Sequence, residues 1–255
     1  MIEYDLGKCG AAFLDSFKIF YLCSAALKNG AQSFLLVSTD KAVKPSSVMG
    51  ATKRLAEIVV TSFAGRGATR FMAVRFGNVL GSSGSVLTIF QEQLERGGPL
   101  TVTDPSVRRY FMTVEEAASL ILQSVSLSRG GEIFVLKMGE PVRIVDMAKS
   151  LIRLSGLEPD KDVEIRFTGL RQGEKLDEEL MEDPAGCSQS EHSHIMILRR
   201  ENEALADLDK HVLDLEIALR AIDSSAVVRR LRELVPTFRP AAAHEAPAAN
   251  PSSAA

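Results

Sequence analysis

Four consecutive apolar residues, Phe34-Leu35-Leu36-Val37, run directly into the polar string Ser38-Thr39-Asp40-Lys41, and Pro45 follows. A short unbroken apolar run of this kind fits a strand covered on both faces, as in parallel sheets. Such a strand delivers Ser38 to Lys41 at its carboxyl end. Pro45 disfavours helical geometry at Lys44, so a loop crosses the strand end before a helix starts near Ser46 or Ser47, both good N-caps. In that helix Met49 and Lys53 stand four residues apart, on one face. Hydroxyls, an Asp-Lys pair and a helical lysine then converge above the carboxyl edge of an open α/β sheet, where such folds place their ligands. Taken alone, Asp40 and Lys41 read more readily as a plain ion pair at a strand end than as a reaction site.

The 255 residues, 45% hydrophobic and 25% charged, are enough to bury a full core as one large domain or one and a half small ones. With 30 basic and 33 acidic side chains and no basic stripe, nucleic acid is excluded as the expected partner. Small molecules are favoured. Cys9, Cys23 and Cys187 are sparse and odd in number, which fits a reducing cytoplasmic setting better than a disulfide framework. No apolar run reaches the ~20 residues that span a bilayer, and the amino terminus lacks a basic region ahead of its apolar residues. The four histidines form no metal-ligand spacing with carboxylates, so no metal site is expected.

Along the chain, residues 1–20 form an atypical amino-terminal segment. A helix is expected from Tyr21, stopped by Gly30. A second strand over Thr69–Phe76 ends in Gly77-Asn78-Val79-Leu80-Gly81-Ser82-Ser83-Gly84-Ser85-Val86, where small residues let backbone amides approach a ligand. Further elements are a helix over Val86–Arg96, a strand over Leu100–Thr103, and a helix capped by Thr113 with Glu116 closing a capping box. A strand over Glu132–Leu136, a helix over Val142–Leu154 and a strand over Val163–Phe167 follow. Residues 184–194 are polar and irregular. From Leu205 to Ile222, apolar residues recur at helical spacing, either packed on the chain's own domain or as a coiled-coil surface. A short helix covers 227–235, and the Ala/Pro/Ser-rich tail over 240–255 is expected to be disordered.

The string Ser38-Thr39-Asp40-Lys41-Ala42-Val43, with Met49-Gly50-Ala51-Thr52-Lys53-Arg54, resembles the extended, nucleotide-sugar-modifying branch of the short-chain dehydrogenase/reductase superfamily. More narrowly it is similar to the polysaccharide-biosynthesis UDP-N-acetylglucosamine 4,6-dehydratases. Most of the superfamily has Tyr four residues before the Lys; here Met49 stands there, as in the membrane-anchored members of the dehydratase family. The resemblance implies an α/β fold: a partial Rossmann-like parallel sheet lacking its N-terminal half, because no Gly-x-Gly-x-x-Gly turn occurs in the chain. Residues 21–80 would be the remaining dinucleotide-binding part, and 81–239 a smaller α/β substrate-binding region with returning Rossmann elements.

The resemblance also implies roles. Thr39, Asp40, Lys41 and Lys53 would be catalytic: Thr39 hydrogen-bonding the sugar, Lys41 removing the C5 proton if its pKa is lowered, Asp40 protonating the leaving hydroxyl, and Lys53 favouring the alkoxide. Ser38, Lys53, Phe76, Gly77 and Val79 would contact NAD or NADP, with NAD favoured. Asn78, Ser85, Val86, Arg109, Arg171 and Glu174 would contact a UDP-sugar, Arg109 and Arg171 at its diphosphate and Glu174 at its ribose. Thr168 to Leu176 looks like the family's Leu-Arg-Pro-Gly-Glu-Lys motif with Gln172 in place of Pro. Without the glycine turn, binding of the dinucleotide by this chain alone is expected to be weak. The function implied is therefore nucleotide-sugar dehydration in an incomplete form. A catalytically inactive UDP-sugar-binding fragment and a nucleotide-sugar epimerase stay open, as does assembly into a homo-oligomer.

Overall fold

The computed structural model describes residues 18–240, apart from 83, 199–204, 206 and 222. The expectations for residues 1–17, Ser83, Ile222 and the tail beyond 240 lie outside the described residues.

Residues 18–28 are helical (α1), so the chain is already in helix three residues ahead of Tyr21. Strand β1 (Ser33–Thr39) follows, then a 3-10 turn at Asp40–Ala42 and helix α2 (Val48–Ser62). Ser47 caps α2, its side chain accepting from the Gly50 amide at 3.1 Å. Strand β2 (Arg70–Phe76) pairs in parallel with β1 along its whole length, from Ser33 opposite Arg70 to Thr39 opposite Phe76. After β3 (Asn78–Val79), Ser85 caps α3 (Val86–Glu95). Then come β4 (Leu100–Val102), β5 (Arg108–Arg109), β6 (Phe111–Met112) and α4 (Val114–Leu127), whose Thr113–Glu116 capping box forms as the spacing predicts. The remaining elements are β7 (Ile133–Leu136), β8 (Val142–Arg143), α5 (Ile144–Leu154), β9 (Ile165–Phe167), β10 (Cys187–Gln189), β11 (Ile195–Leu198), α6 (Leu208–Arg220) and α7 (Ser224–Leu234).

The main sheet runs β1-β2-β7-β11-β10, with its first three strands parallel and the last two antiparallel. On one face α2, α6 and α7 bury Leu55, Val59, Leu215 and Leu231 against Leu36, Phe71 and Ala73. Burying a side chain of this size contributes about 2 kcal/mol. On the other face α4 covers Met72, Val74 and Phe134. A separate core of Phe90, Leu100, Val102, Ile144, Ala148 and Ile165 holds α3, β4, α5 and β9 together as a second lobe.

Three expectations need correction. The run Phe34–Val37 is not covered on both faces: Leu36 is buried, but Val37 is 51% exposed. Among the described residues β1 is an edge strand, and the strands buried throughout are β2 beyond Arg70 and β7. Helix α5 begins at Ile144 because Val142 and Arg143 pair with β5. The polar stretch 184–194 is not irregular: Cys187–Gln189 pairs with Ile195–Leu198 as a hairpin added to β7. Polar side chains hold its turn, with Ser190 Oγ donating to the Ile195 carbonyl at 2.7 Å and Gln189 Nε2 to the His192 carbonyl at 2.7 Å. Of the two readings of the α6 stripe, packing on the chain's own core is the one that holds, through Leu208, Val212 and Leu215.

Candidate active site

The parallel strands β1 and β2 end side by side at Thr39 and Phe76, and the second lobe stands across from them. Between the two lies a cavity of about 610 Å³ lined by Ser38, Thr39, Lys41, Phe76, Gly77, Asn78 and Val79 on the sheet side. Ser82, Gly84, Ser85, Val86, Thr101, Thr103, Arg109, Arg171 and Glu174 line the rest, with apolar Ile89, Phe90, Val107 and Ile144. This is the crevice at strand carboxyl ends where open α/β sheets bind ligands.

At the tip of β1, Thr39 caps the 3-10 turn, its Oγ1 accepting from the Lys41 amide and donating to Asp40 Oδ1 at 2.8 Å. Lys41 Nζ donates to the same Oδ1 at 2.9 Å. Asp40 itself is fully buried, and its Oδ2 has no hydrogen-bond partner among the described residues. A Cβ on Gly77 would stand 3.1 Å from that oxygen and 3.1 Å from both Met138 Sδ and Tyr110 Cβ, so a side chain there would have to push these neighbours back by a few tenths of an ångström. A Cβ on Gly50 would run into the Lys41 carbonyl oxygen, so the first turn of α2 backs directly onto the reactive segment.

Beneath the tip sits a buried ion network. Glu57 of α2 accepts from Ser38 Oγ at 2.6 Å, from Arg75 Nε at 2.7 Å and Nη2 at 2.6 Å, and from Arg54 Nη1 at 2.9 Å. Burial alone would raise the Glu57 carboxyl, but the charges and hydrogen bonds of Arg75, with Arg54 and Ser38, outweigh it and hold the group at about 2. The network joins β1, β2 and α2 immediately behind Thr39.

Thr39 and Lys41 line the cavity, whereas Asp40 reaches it only through them, and half-buried Lys53 and 41%-exposed Met49 are not among the lining residues. Of the expected cofactor contacts, Ser38, Phe76, Gly77 and Val79 line the cavity, although the Ser38 hydroxyl is turned to Glu57. All six expected substrate contacts line it. Asn78 donates its amide to the Tyr110 carbonyl at 3.2 Å, and Ser85 is held as the α3 cap. Arg109 and Glu174, expected at different parts of a nucleotide, face each other: Arg109 Nη2 donates to Glu174 Oε1 at 3.0 Å, and Nη1 to the Arg108 and Leu176 carbonyls. Glu174 also accepts from Thr103 and the Arg171 amide. Arg171 is exposed at the rim.

Sequence reasoning missed Glu57, Arg75 and Arg54, although charges set within the apolar runs of α2 and β2 were a signal. It also missed Glu178, whose carboxyl lies 4.0 Å from Lys41 Nζ; inside Asp177-Glu178-Glu179 it reads as one of a solvated charge run. Among the described residues no cluster of three metal-ligating side chains occurs, and no helix is long and apolar enough to cross a membrane. Cys23 and Cys187 are unpaired, and burial pushes the Cys23 thiol up to about 12. Cys9 is outside the described residues.

Comparison with known proteins agrees with this architecture. The chain is 55% identical over 160 residues to the probable polysaccharide biosynthesis protein EpsC of Bacillus subtilis, covering 63% of this chain and 27% of that protein. It thus spans about a quarter of that relative's length. The X-ray structure of Pen from Bacillus thuringiensis superposes with a TM-score of 0.64 at 32% identity, covering 71% of this chain and 57% of that one. The dTDP-glucose 4,6-dehydratase (rfbB) of Bacillus anthracis, solved in complex with NAD, superposes with a TM-score of 0.53 at 18% identity over 60% of this chain and 55% of that one. The fold is the Rossmann-like α/β fold of such enzymes. Residues 18–200, well over half the chain, match the family described as "Polysaccharide biosynthesis protein", and the chain belongs to that family.

Proposed function

We propose that the chain carries the substrate half of a nucleotide-sugar 4,6-dehydratase acting on UDP-N-acetylglucosamine. The observation that carries the reading is the Thr39–Asp40–Lys41 cluster at the wall of a cavity of about 610 Å³, within the range of small-ligand pockets. An NAD-type cofactor would lie against Phe76, Gly77 and Val79, which form the cavity wall at the β2 end. No Gly-x-Gly-x-x-Gly turn is present for its pyrophosphate. When bound, it would supply hydride acceptance at C4 and return at C6.

The chain's own residues would do the proton work. Thr39 orients the sugar at C4. The Lys41 amine takes the proton from C5, made acidic by the neighbouring C4 carbonyl, and the C6 hydroxyl leaves as water after gaining a proton. Asp40 would be the reservoir for that second proton; Thr39 Oγ1 and Lys41 Nζ both donate to its Oδ1, so passing the proton on requires one of these hydrogen bonds to reverse direction. Arg171 is the guanidinium placed to meet the diphosphate from the rim; Arg109 would do so by exchanging Glu174 for phosphate.

The chain incubated with UDP-N-acetylglucosamine, NAD and, in a parallel sample, a polypeptide supplying the glycine turn tests this by mass spectrometry of the sugar nucleotide. A product lighter by one water is expected. A C4-inverted isomer would favour an epimerase, and binding without turnover the inactive sugar-nucleotide-binding reading that the missing glycine turn motivates. Neither binding nor turnover in either sample would overturn the assignment.

A further inference from the structure

Glu178 has no role in the reading above. It stands one residue beyond the bridge between Arg108 and Asp177, in a segment fastened to the loop that follows Lys41. Ser46 Oγ donates to the Gly173 carbonyl at 2.7 Å, Lys175 Nζ to the Val43 carbonyl at 2.9 Å, and Lys44 pairs with Glu179 at 2.8 Å. Gly173 makes this fit possible, because a Cβ there would stand 2.9 Å from Ser47 Cβ at a φ of +78°. The seam brings Glu178, 8% exposed, to 4.0 Å from the Lys41 amine, which Asp40 holds at 2.9 Å. Glu178 Oε2 is buried with no hydrogen-bond partner among the described residues, as is Asp40 Oδ2.

We infer that Glu178 is a positioning residue for Lys41: with Asp40 it forms a two-carboxyl clamp that fixes where the amine stands at the cavity wall. The inference rests on the reading of Lys41 as the base at C5 and deepens it. Two carboxyls around one amine suit the amine after it has taken a proton, when an ionised Glu178 adds to Asp40 in stabilising the ammonium. The groups that face Glu178 are Lys41 and Asp40 from the strand tip, Arg109 from β5 and Lys175 from its own segment. Burial raises the Glu178 pKa, the Lys41 charge opposes that, Asp40 adds to it, and Arg109 and Lys175 oppose it. Glu178 is thus a carboxyl whose charge changes above the ordinary glutamate range, and the clamp's hold on Lys41 changes with it.

The test is carboxyl-carbon NMR titration of the full chain labelled at glutamate Cδ, with Glu178 assigned through Glu178→Gln. In Lys41→Met the Glu178 midpoint is expected to rise by about one pH unit, because an opposite charge within ~4–6 Å is lost. An unmoved midpoint overturns the clamp. A second reading protects against a misfolded variant: the Lys41 Cε signal of the wild-type chain should follow the Glu178 titration, lose that step in Glu178→Gln and recover it in Glu178→Asp. A Lys41 signal indifferent to Glu178 overturns the proposal, whereas a merely structural Glu178 would change stability and leave that signal without the step. None of these readings needs cofactor, sugar or turnover. Failure of the dehydratase assay and failure of the clamp are therefore separate results.

Discussion

Lys41→Met is expected to lower the rate of water loss from the sugar about 1,000-fold, the middle of the range for a positioned general base. Binding of the UDP-sugar should change far less. Position singles out Lys41: among the described residues lining the cavity it is the one amine, and the other lining cations, Arg109 and Arg171, cannot give up a proton to act as bases. Methionine keeps the length of the side chain and removes the nitrogen, so packing along the stem persists. The comparison that matters is kcat against the dissociation constant of the sugar nucleotide. If kcat is unchanged and binding falls, Lys41 contributes uniform binding and is not the base.

Glu57→Gln should destabilise the fold by about 3–5 kcal/mol, the range for breaking a buried ion pair by removing one partner. For a chain of this size that corresponds to a fall in Tm on the order of 10 °C. Arg75 is fully buried and Arg54 nearly so, and the substitution leaves both guanidinium groups inside with the central charge gone. The pH dependence has a defined sign. The Glu57 pKa is held at about 2 in the folded chain, below its ordinary value of 4.5. The stability it contributes is therefore full above the ordinary glutamate range and is lost as pH falls from about 4.5 towards 2. Wild-type stability should drop steeply in that window, and Glu57→Gln should drop less. Thermal unfolding at neutral and acid pH measures both, and equal Tm with identical acid profiles would show that the network contributes nothing. Replacing Glu57, Arg75 and Arg54 together by apolar residues of similar volume is a different experiment, in which the cost can vanish.

The parts of the fold legible in the sequence were those with local causes. The apolar runs ending at Val37 and Phe76, the Ser47 cap and the Thr113–Glu116 box each follow from neighbours within a few positions, and β1, β2, α2 and α4 form there. What escaped depends on residues far apart in the chain. The hairpin β10–β11 is three and four residues a strand, too short for an alternation to show, and exists because β7 offers it an edge. Val142 and Arg143 look like the first turn of α5 until β5 claims them. Arg109 and Glu174 each read as a nucleotide contact, yet 65 positions of separation hide that they pair with each other. Glu178 reads as surface charge because nothing local reveals the seam of Ser46, Lys44 and Lys175 that carries it to Lys41.

The proposed reaction requires the sugar of a UDP-sugar to sit against the β1 tip with its C5 hydrogen facing Lys41. A crystal structure of the chain with UDP-N-acetylglucosamine bound would show this. The hexose is expected in the cavity between Thr39 and Asn78, with C5 within proton-transfer reach of Lys41 Nζ and the diphosphate towards Arg171. A sugar nucleotide seated elsewhere, or with its hexose turned away from Lys41, would contradict it.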